Sequence, residues 1–213
     1  MIANTPSGNS QGDTKMAHNH KVKILAFDPG LANTGWSLTE YDLDSDKLTV
    51  LKMDEFHPSP TVDRAQYRDE VNKFDKRTVS LAYLREQISK LLTELKPDMT
   101  CTEDIFINMH RPQAYGALAM WLATARMVCR DVAGKYLVAI PTKICKAELT
   151  KSGSSDKLTV QQCVAASKRI VFKDPIMLTQ MTEHEADCLA VANAFVVRYR
   201  DLIEQYVEER NGK

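Results

Sequence analysis

Three acidic side chains fall where a folded chain places metal ligands: Asp28, Glu103 and Asp187. Asp28 closes the apolar run KVKILAFD and is followed at once by Pro29-Gly30, which ends a strand and leaves the carboxylate at a polar turn. An Asp ahead of Pro-Gly is also a common turn residue, so Asp28 alone decides nothing. Glu103 ends the run MTCTE in an apolar setting, where a charge is costly unless it is paired or bound to a cation; a surface strand edge is the competing reading. Its neighbour Asp104 points to the opposite face of a regular strand, so the two do not share one site. The segment Glu183-His184-Glu185-Ala186-Asp187 opens a helix, and i,i+3 spacing puts His184 and Asp187 on one side of it. Glu183 and Glu185 read as first-turn acids that complement the helix dipole. Carboxylates from separate elements suit Mg²⁺ or Mn²⁺, hard cations that favour oxygen.

The elements that must carry these groups form a readable order. Residues 21–28, 34–41 and 47–53 are β-prone runs separated by tight polar turns, which predicts an antiparallel meander. The stretch 54–76 is polar, contains Pro58 and Pro60, and reads as a loop before a helix over roughly 77–95, where Leu81, Leu84, Ile88, Leu91, Leu92 and Leu95 recur at helical spacing. A strand then carries Glu103, a helix follows from Gln113 to Ala133, and Tyr136–Ile140 is a further apolar strand ended by Pro141. Thr142 is placed to cap a short helix before Gly153, Asp156 precedes another through about Lys168, and the last runs from about Glu183 to Glu204. A meander followed by alternating strands and helices predicts an α/β fold with a mixed sheet.

The residues also resemble a known family. The stretch ILAFDPGLANTGWSL resembles the opening strand, turn and second strand of the RuvC-type Holliday junction resolvases, with Asp28 at the first catalytic carboxylate and Gly30 and Gly35 at its glycines. TEDIF resembles the second motif, with Glu103 at the catalytic glutamate and Phe106 three positions on. HEADCLAVANA resembles the last motif, with Asp187 at the catalytic aspartate and His184 at a position where the family carries Asp or His. Lys146 and Lys157, separated by a Gly/Ser loop, resemble the family's pair of basic active-site residues.

This resemblance implies an α/β, RNase H-like mixed five-stranded sheet flanked by helices on both faces, and a crossover junction endodeoxyribonuclease that resolves Holliday junctions by paired metal-dependent phosphodiester cleavage. It implies Asp28, Glu103, His184 and Asp187 as ligands of two Mg²⁺ ions per site, for which Mn²⁺ substitutes, with Lys157 stabilising the phosphate. Phe106, Lys143, Lys146 and Lys151 are then DNA-binding residues, Phe106 stacking on an unpaired base or else belonging to the core. A junction has two scissile strands related by near two-fold symmetry, so a homodimer matches it, and the small-residue face of the 113–133 helix, with Ala117, Ala123 and Ala125, is the candidate contact. A broader branched-DNA nuclease acting on flaps or forks, and a non-catalytic nucleic-acid-binding protein of RNase H-like fold, are the alternatives. The longer 54–76 segment and the N-terminal arm depart from the family's pattern.

The bulk composition fits one nuclease domain over 21–200, a flexible arm over 1–20 and a helical tail over 201–213. No apolar run approaches a bilayer span, and the first twenty residues lack the apolar stretch of a secretory signal, so a cytoplasmic protein is expected, in the host cytoplasm for a viral member; neither a membrane nor a nucleotide cofactor is expected. Five cysteines without a CxxC pair fit a reducing compartment. Basic and acidic residues balance at 28 each, but residues 142–173 hold seven basic side chains (Lys143, Lys146, Lys151, Lys157, Lys168, Arg169 and Lys173) against Glu148 and Asp156. Such a local excess attracts phosphates even on a neutral chain, although a solvated helical face gives the same count.

Overall fold

The computed structural model describes residues 20–105 and 112–212. Strands β1 (Lys21–Asp28), β2 (Thr34–Asp42) and β3 (Lys47–Phe56) form the expected antiparallel meander, with Asp28 opposite Gly35. Strands β4 (Met99–Asp104) and β5 (Leu137–Pro141) continue the sheet in parallel from β1. A short strand, β6 (Ile170–Phe172), pairs in parallel with β3 and gives the order β5-β4-β1-β2-β3-β6. The expected five strands are therefore six among the described residues. Three residues are too few to show a period of two, and β6 is fixed by tertiary burial of Ile170 beside Leu48.

The segment read as a loop is also corrected. β3 runs on to Phe56, and α1 (Pro58–Val62), a 3-10 turn (Ala65–Tyr67) and α2 (Arg68–Phe74) follow it. Proline is tolerated in a first helical turn, where its missing N–H is not needed, so Pro58 starts α1 instead of breaking it. Helix α3 (Lys76–Leu95) is capped by Asp75, whose side chain accepts from the Thr78 N–H. With α4 (Pro112–Ala133) it covers one face of the sheet, burying Leu25, Phe27, Leu84, Ile88 and Trp121 in one core.

The opposite face carries α5 (Thr142–Thr150), α6 (Lys157–Ala166), α7 (Pro175–Gln180), α8 (Glu183–Arg198) and α9 (Arg200–Arg210). Strand alternation sends Val22, Ile24 and Ala26 into this second core and Leu25 and Phe27 into the first, so β1 is covered on both sides. Helix α8 is the centre of the second layer, buried along most of its length from Glu185 to Val196, as its nearly continuous apolar sequence requires. Its start is fixed by a capping box in which Thr182 and Glu185 satisfy each other's backbone N–H, a device worth about 1 kcal/mol. The single helix expected over 183–204 breaks at Tyr199, whose ring stacks on Phe195 at 5.3 Å; the step lets α9 turn Ile203 and Val207 into the same core. Among the described residues no helix is long and apolar enough to cross a membrane.

Candidate active site

Strand parity decides which acids meet. Ala26 and Cys101 both face the α8 side of the sheet, so Asp28 and Glu103, two residues further along their parallel strands, emerge on that side at adjacent strand ends. Helix α8 brings His184 and Asp187 over them, and Gly35 makes the approach possible: a Cβ there would lie 2.7 Å from the His184 carbonyl oxygen and 2.9 Å from Cys188 Sγ. His184 Nδ1 donates to Asp28 Oδ2 at 2.7 Å. Both side chains are largely shielded from water, at 20% and 15% exposure.

The electrostatics are those of crowded carboxylates. Burial, followed by the charges of Asp28 and Asp187, pushes Glu103 up to about 7, against a hydrogen bond from Thr142 and the charge of Lys146. Burial and then Asp28 push Asp187 up to about 6, while Lys146, Lys157 and His184 pull the other way. His184 is drawn upward by its bond to Asp28 despite its burial. Crowded carboxylates in a shielded site gain most from a cation, and their all-oxygen donors fit a hard one. No three His, Cys, Asp or Glu side chains among the described residues already surround a single point closely enough to hold an ion.

The lysines divide. Lys146 is half-buried, donates to the Ser155 carbonyl at 3.0 Å, and its charge acts on Glu103 and Asp187. Lys157 begins α6 and pairs with Glu183. Burial lowers the Lys157 ammonium, but Glu183, Asp187 and Asp28 outweigh this and raise it. Lys143 is exposed in the first turn of α5, and Lys151 is exposed at its left-handed C-cap. Arg169 leaves the basic stripe for structural duty, pairing with Asp46 at 2.9 Å. Phe106 lies outside the described residues.

Thr142, read from the sequence as a helix cap, caps nothing: Pro141 is the N-cap of α5, and the Thr142 hydroxyl donates to Glu103 instead. The signal for this was topological, since Thr142 follows the end of β5, the parallel neighbour of the Glu103 strand. Glu183, read as a dipole acid, is the partner of Lys157 and lies 3.7 Å from His184 Nε2. Asn33, which donates to His184 Nε2 at 3.2 Å, was also missed, because the bond spans 151 residues. The cysteines behave as small hydrophobes: all five are free thiols, and burial raises Cys101, Cys145 and Cys188.

A mixed α/β sheet with carboxylates at adjacent strand ends and a further acid from a covering helix defines an RNase H-like fold with a candidate site for metal-dependent phosphoryl chemistry. No protein-family model matches the chain. It is similar to the crossover junction endodeoxyribonuclease RuvC of Caulobacter vibrioides, at 24% identity over 172 residues that cover 80% of this chain and 87% of that protein. The RuvC of Rhodopseudomonas palustris is 25% identical over 183 residues, covering 84% and 89% respectively. Among solved structures, Thermus thermophilus RuvC in complex with a Holliday junction substrate aligns with a TM-score of 0.65 at 16% identity, over 85% of this chain and 97% of that one. The chain shares its fold with that structure over 97% of the latter's length.

Proposed function

We propose that this chain is a metal-dependent crossover junction endodeoxyribonuclease, acting on four-way DNA by hydrolysis of a phosphodiester in each of two strands. The observation that supports it best is the meeting of Asp28 and Glu103 at adjacent strand ends with Asp187 of α8, on a RuvC-type fold. In this reading the three acids, with His184, would hold two Mg²⁺ ions, for which Mn²⁺ substitutes. Bound ions supply a nucleophilic water and offset charge on the leaving oxygen. The chain's own residues do the rest. Asp28, Glu103 and Asp187 are held on rigid elements that fix the direction of approach, and the sheet and α8 keep bulk water from Glu103. Lys157 stabilises the phosphate by charge once it exchanges Glu183 for DNA, and Lys146 fixes the backbone alongside. Lys143 and Lys151 extend the phosphate contacts, and Phe106 stacks on an unpaired base.

A C2 homodimer presents two such sites. Exposed Met120, Ala123 and Met127 recur at helical spacing on α4, with Met127 65% exposed, and supply an apolar face for a second copy. The residue set differs from the expected one. Ala125 is fully buried against the α3 side of its own core, and Ala117 is half-buried, so of the three alanines only Ala123 is exposed on this surface.

The test is side-by-side cleavage of a mobile four-way junction, a replication fork and a flap in Mg²⁺, with the nicks mapped. Paired, symmetric nicks confined to the junction support the proposal. Equal cutting of forks and flaps replaces it with general branched-DNA cleavage, and absence of nicking on every substrate replaces it with a binding role.

A further inference from the structure

Four strands of the sheet finish at one pole. β4 and β5 run parallel to β1, and β3, antiparallel to β2, is parallel to β1 as well, so the segments after all four emerge at the end where Asp28 and Glu103 meet. In open α/β sheets such strand ends are where ligands bind. The order β5-β4-β1-β2-β3 sets α5, with Lys143 and Lys146, on one flank of the acids and the segment 57–77 on the other. Strand spacings of about 4.8 Å separate these flanks by roughly 19 Å. Only an extended substrate reaches both.

The second flank is docked on the site but gives little to the core. The Ser59 N–H donates to the Leu31 carbonyl at 2.8 Å, and His57 Nδ1 lies 2.8 Å from Asn33 Oδ1, so α1 is tied to the turn that follows Asp28. Pro58, Thr61 and Val62 of α1 are buried, and the Tyr67 ring packs edge-on against Tyr83 of α3 at 6.2 Å. Helix α2, by contrast, buries none of its side chains. A helix this short gains little by itself in water, and the core gives it no apolar face to cover.

The charges of the segment are sorted. Asp63 is taken by Lys76 at 2.6 Å, and Asp75 by the Thr78 N–H and hydroxyl at 3.0 and 2.8 Å. Asp69 and Glu70 sit in the first turn of α2, where they complement the helix dipole. Arg64 and Arg68 are exposed at i,i+4 spacing and make no ion pair among the described residues. Lys73, also exposed, holds its ammonium 5.0 Å from the centre of the Phe74 ring, which is itself 52% exposed. Guanidinium groups without a protein carboxylate, beside an exposed aromatic ring, match the phosphates and apolar faces of a nucleic acid.

We propose that the segment 57–77 is a second DNA-binding surface, in which Arg64 and Arg68 hold backbone phosphates of a duplex arm of the branched substrate, on the side of the acids away from Lys143 and Lys146. The substrate is that of the nuclease reading, on which this surface rests; the surface adds a contact outside the reacting strand. Two basic flanks then grip the DNA on either side of the acids. The segment 54–76, longer than the family pattern, thereby acquires a task.

The test is equilibrium binding of the full chain to a synthetic four-way junction, without divalent cation, at several salt concentrations. Arg64→Gln/Arg68→Gln is expected to weaken binding at least about tenfold near 0.1 M salt and to make the slope of log affinity against log salt shallower by at least about two, one for each phosphate contact removed. Lys90→Gln/Lys96→Gln removes the same charge from the far end of α3, at the opposite pole, and is expected to leave affinity and slope near native. Arg64→Lys/Arg68→Lys keeps the charge and is expected to restore the native slope. Circular dichroism confirms that each variant is folded. A slope unmoved by Arg64→Gln/Arg68→Gln, an equal loss from Lys90→Gln/Lys96→Gln, or a lysine pair that behaves as the glutamine pair overturns the proposal, as does a native chain that binds no branched DNA at any salt. Cleavage of the same junction by the native chain in Mg²⁺ decides the nuclease reading separately: the expected slopes without nicking leave the surface standing on a chain that is not a nuclease.

Discussion

Glu103 and Asp187 are held in a protein environment that penalises their charge, and this has a measurable signature. Glu103 protonates near 7 in the folded chain against 4.5 as an ordinary glutamate, and Asp187 near 6 against 3.8. Between these values the folded chain binds more protons than the unfolded one. The associated stability is full below the lower value and is lost as pH rises through the upper one. Without divalent cation, the unfolding free energy from urea titrations therefore falls between about pH 4 and pH 7, by on the order of 2 kcal/mol after allowance for partial exposure. Mg²⁺ reverses the loss, and Glu103→Gln flattens the profile. A second prediction concerns Glu183, which occupies Lys157. Glu183→Gln frees that ammonium for phosphate, so junction affinity rises a few-fold and the slope of log affinity against log salt steepens by about one, as titration at several salt concentrations will show.

At the scale of elements, the site depends on α8 lying directly on β2. Gly35→Ala places a methyl group against the His184 carbonyl and Cys188 Sγ, atoms that cannot both yield without moving the helix. The expected cost is about 1–3 kcal/mol of stability, read by denaturation, and a loss of cleavage larger than that stability change explains. This dependence also separates what sequence shows from what it does not. Asp28, Glu103 and the α8 motif were legible because strand ends and a helix start are local patterns: Pro29-Gly30 behind one apolar run, the close of the run MTCTE, and first-turn acids with His184 and Asp187 at i,i+3 spacing. β6 and the helical turns within 54–76 were not, because Ile170–Phe172 is too short for periodicity and Pro58 reads equally as a breaker and as a helix start. The roles of Thr142, Asn33 and Glu183 arise from contacts across 39, 151 and 26 positions, which spacing within one segment does not encode.

For the whole molecule, a neutral chain must bind a polyanion with a local surface. Of the 142–173 stripe, Lys143, Lys146, Lys151 and Lys157 lie on α5, at its C-cap and at the start of α6, with Lys146 and Lys157 acting on the acids, whereas Lys168, Arg169 and Lys173 flank β6 and Arg169 is diverted to Asp46. Binding is accordingly expected to be strongly salt-dependent although the net charge is zero. The proposed dimer makes its own prediction: Met127→Glu, on the exposed side of α4, shifts light-scattering mass toward the monomer and converts paired nicks into single, uncoordinated ones while the fold is kept. The central claim is that Asp28, Glu103 and Asp187 form one metal-dependent hydrolytic site. Its most direct test is Mg²⁺-dependent nicking of a synthetic four-way junction by Asp28→Asn, Glu103→Gln and Asp187→Asn, with junction binding measured in parallel. Each variant is expected to bind the junction within a few-fold of native and to cut it at least about a thousandfold more slowly; persistent Mg²⁺-dependent cutting by any one of them would contradict the claim.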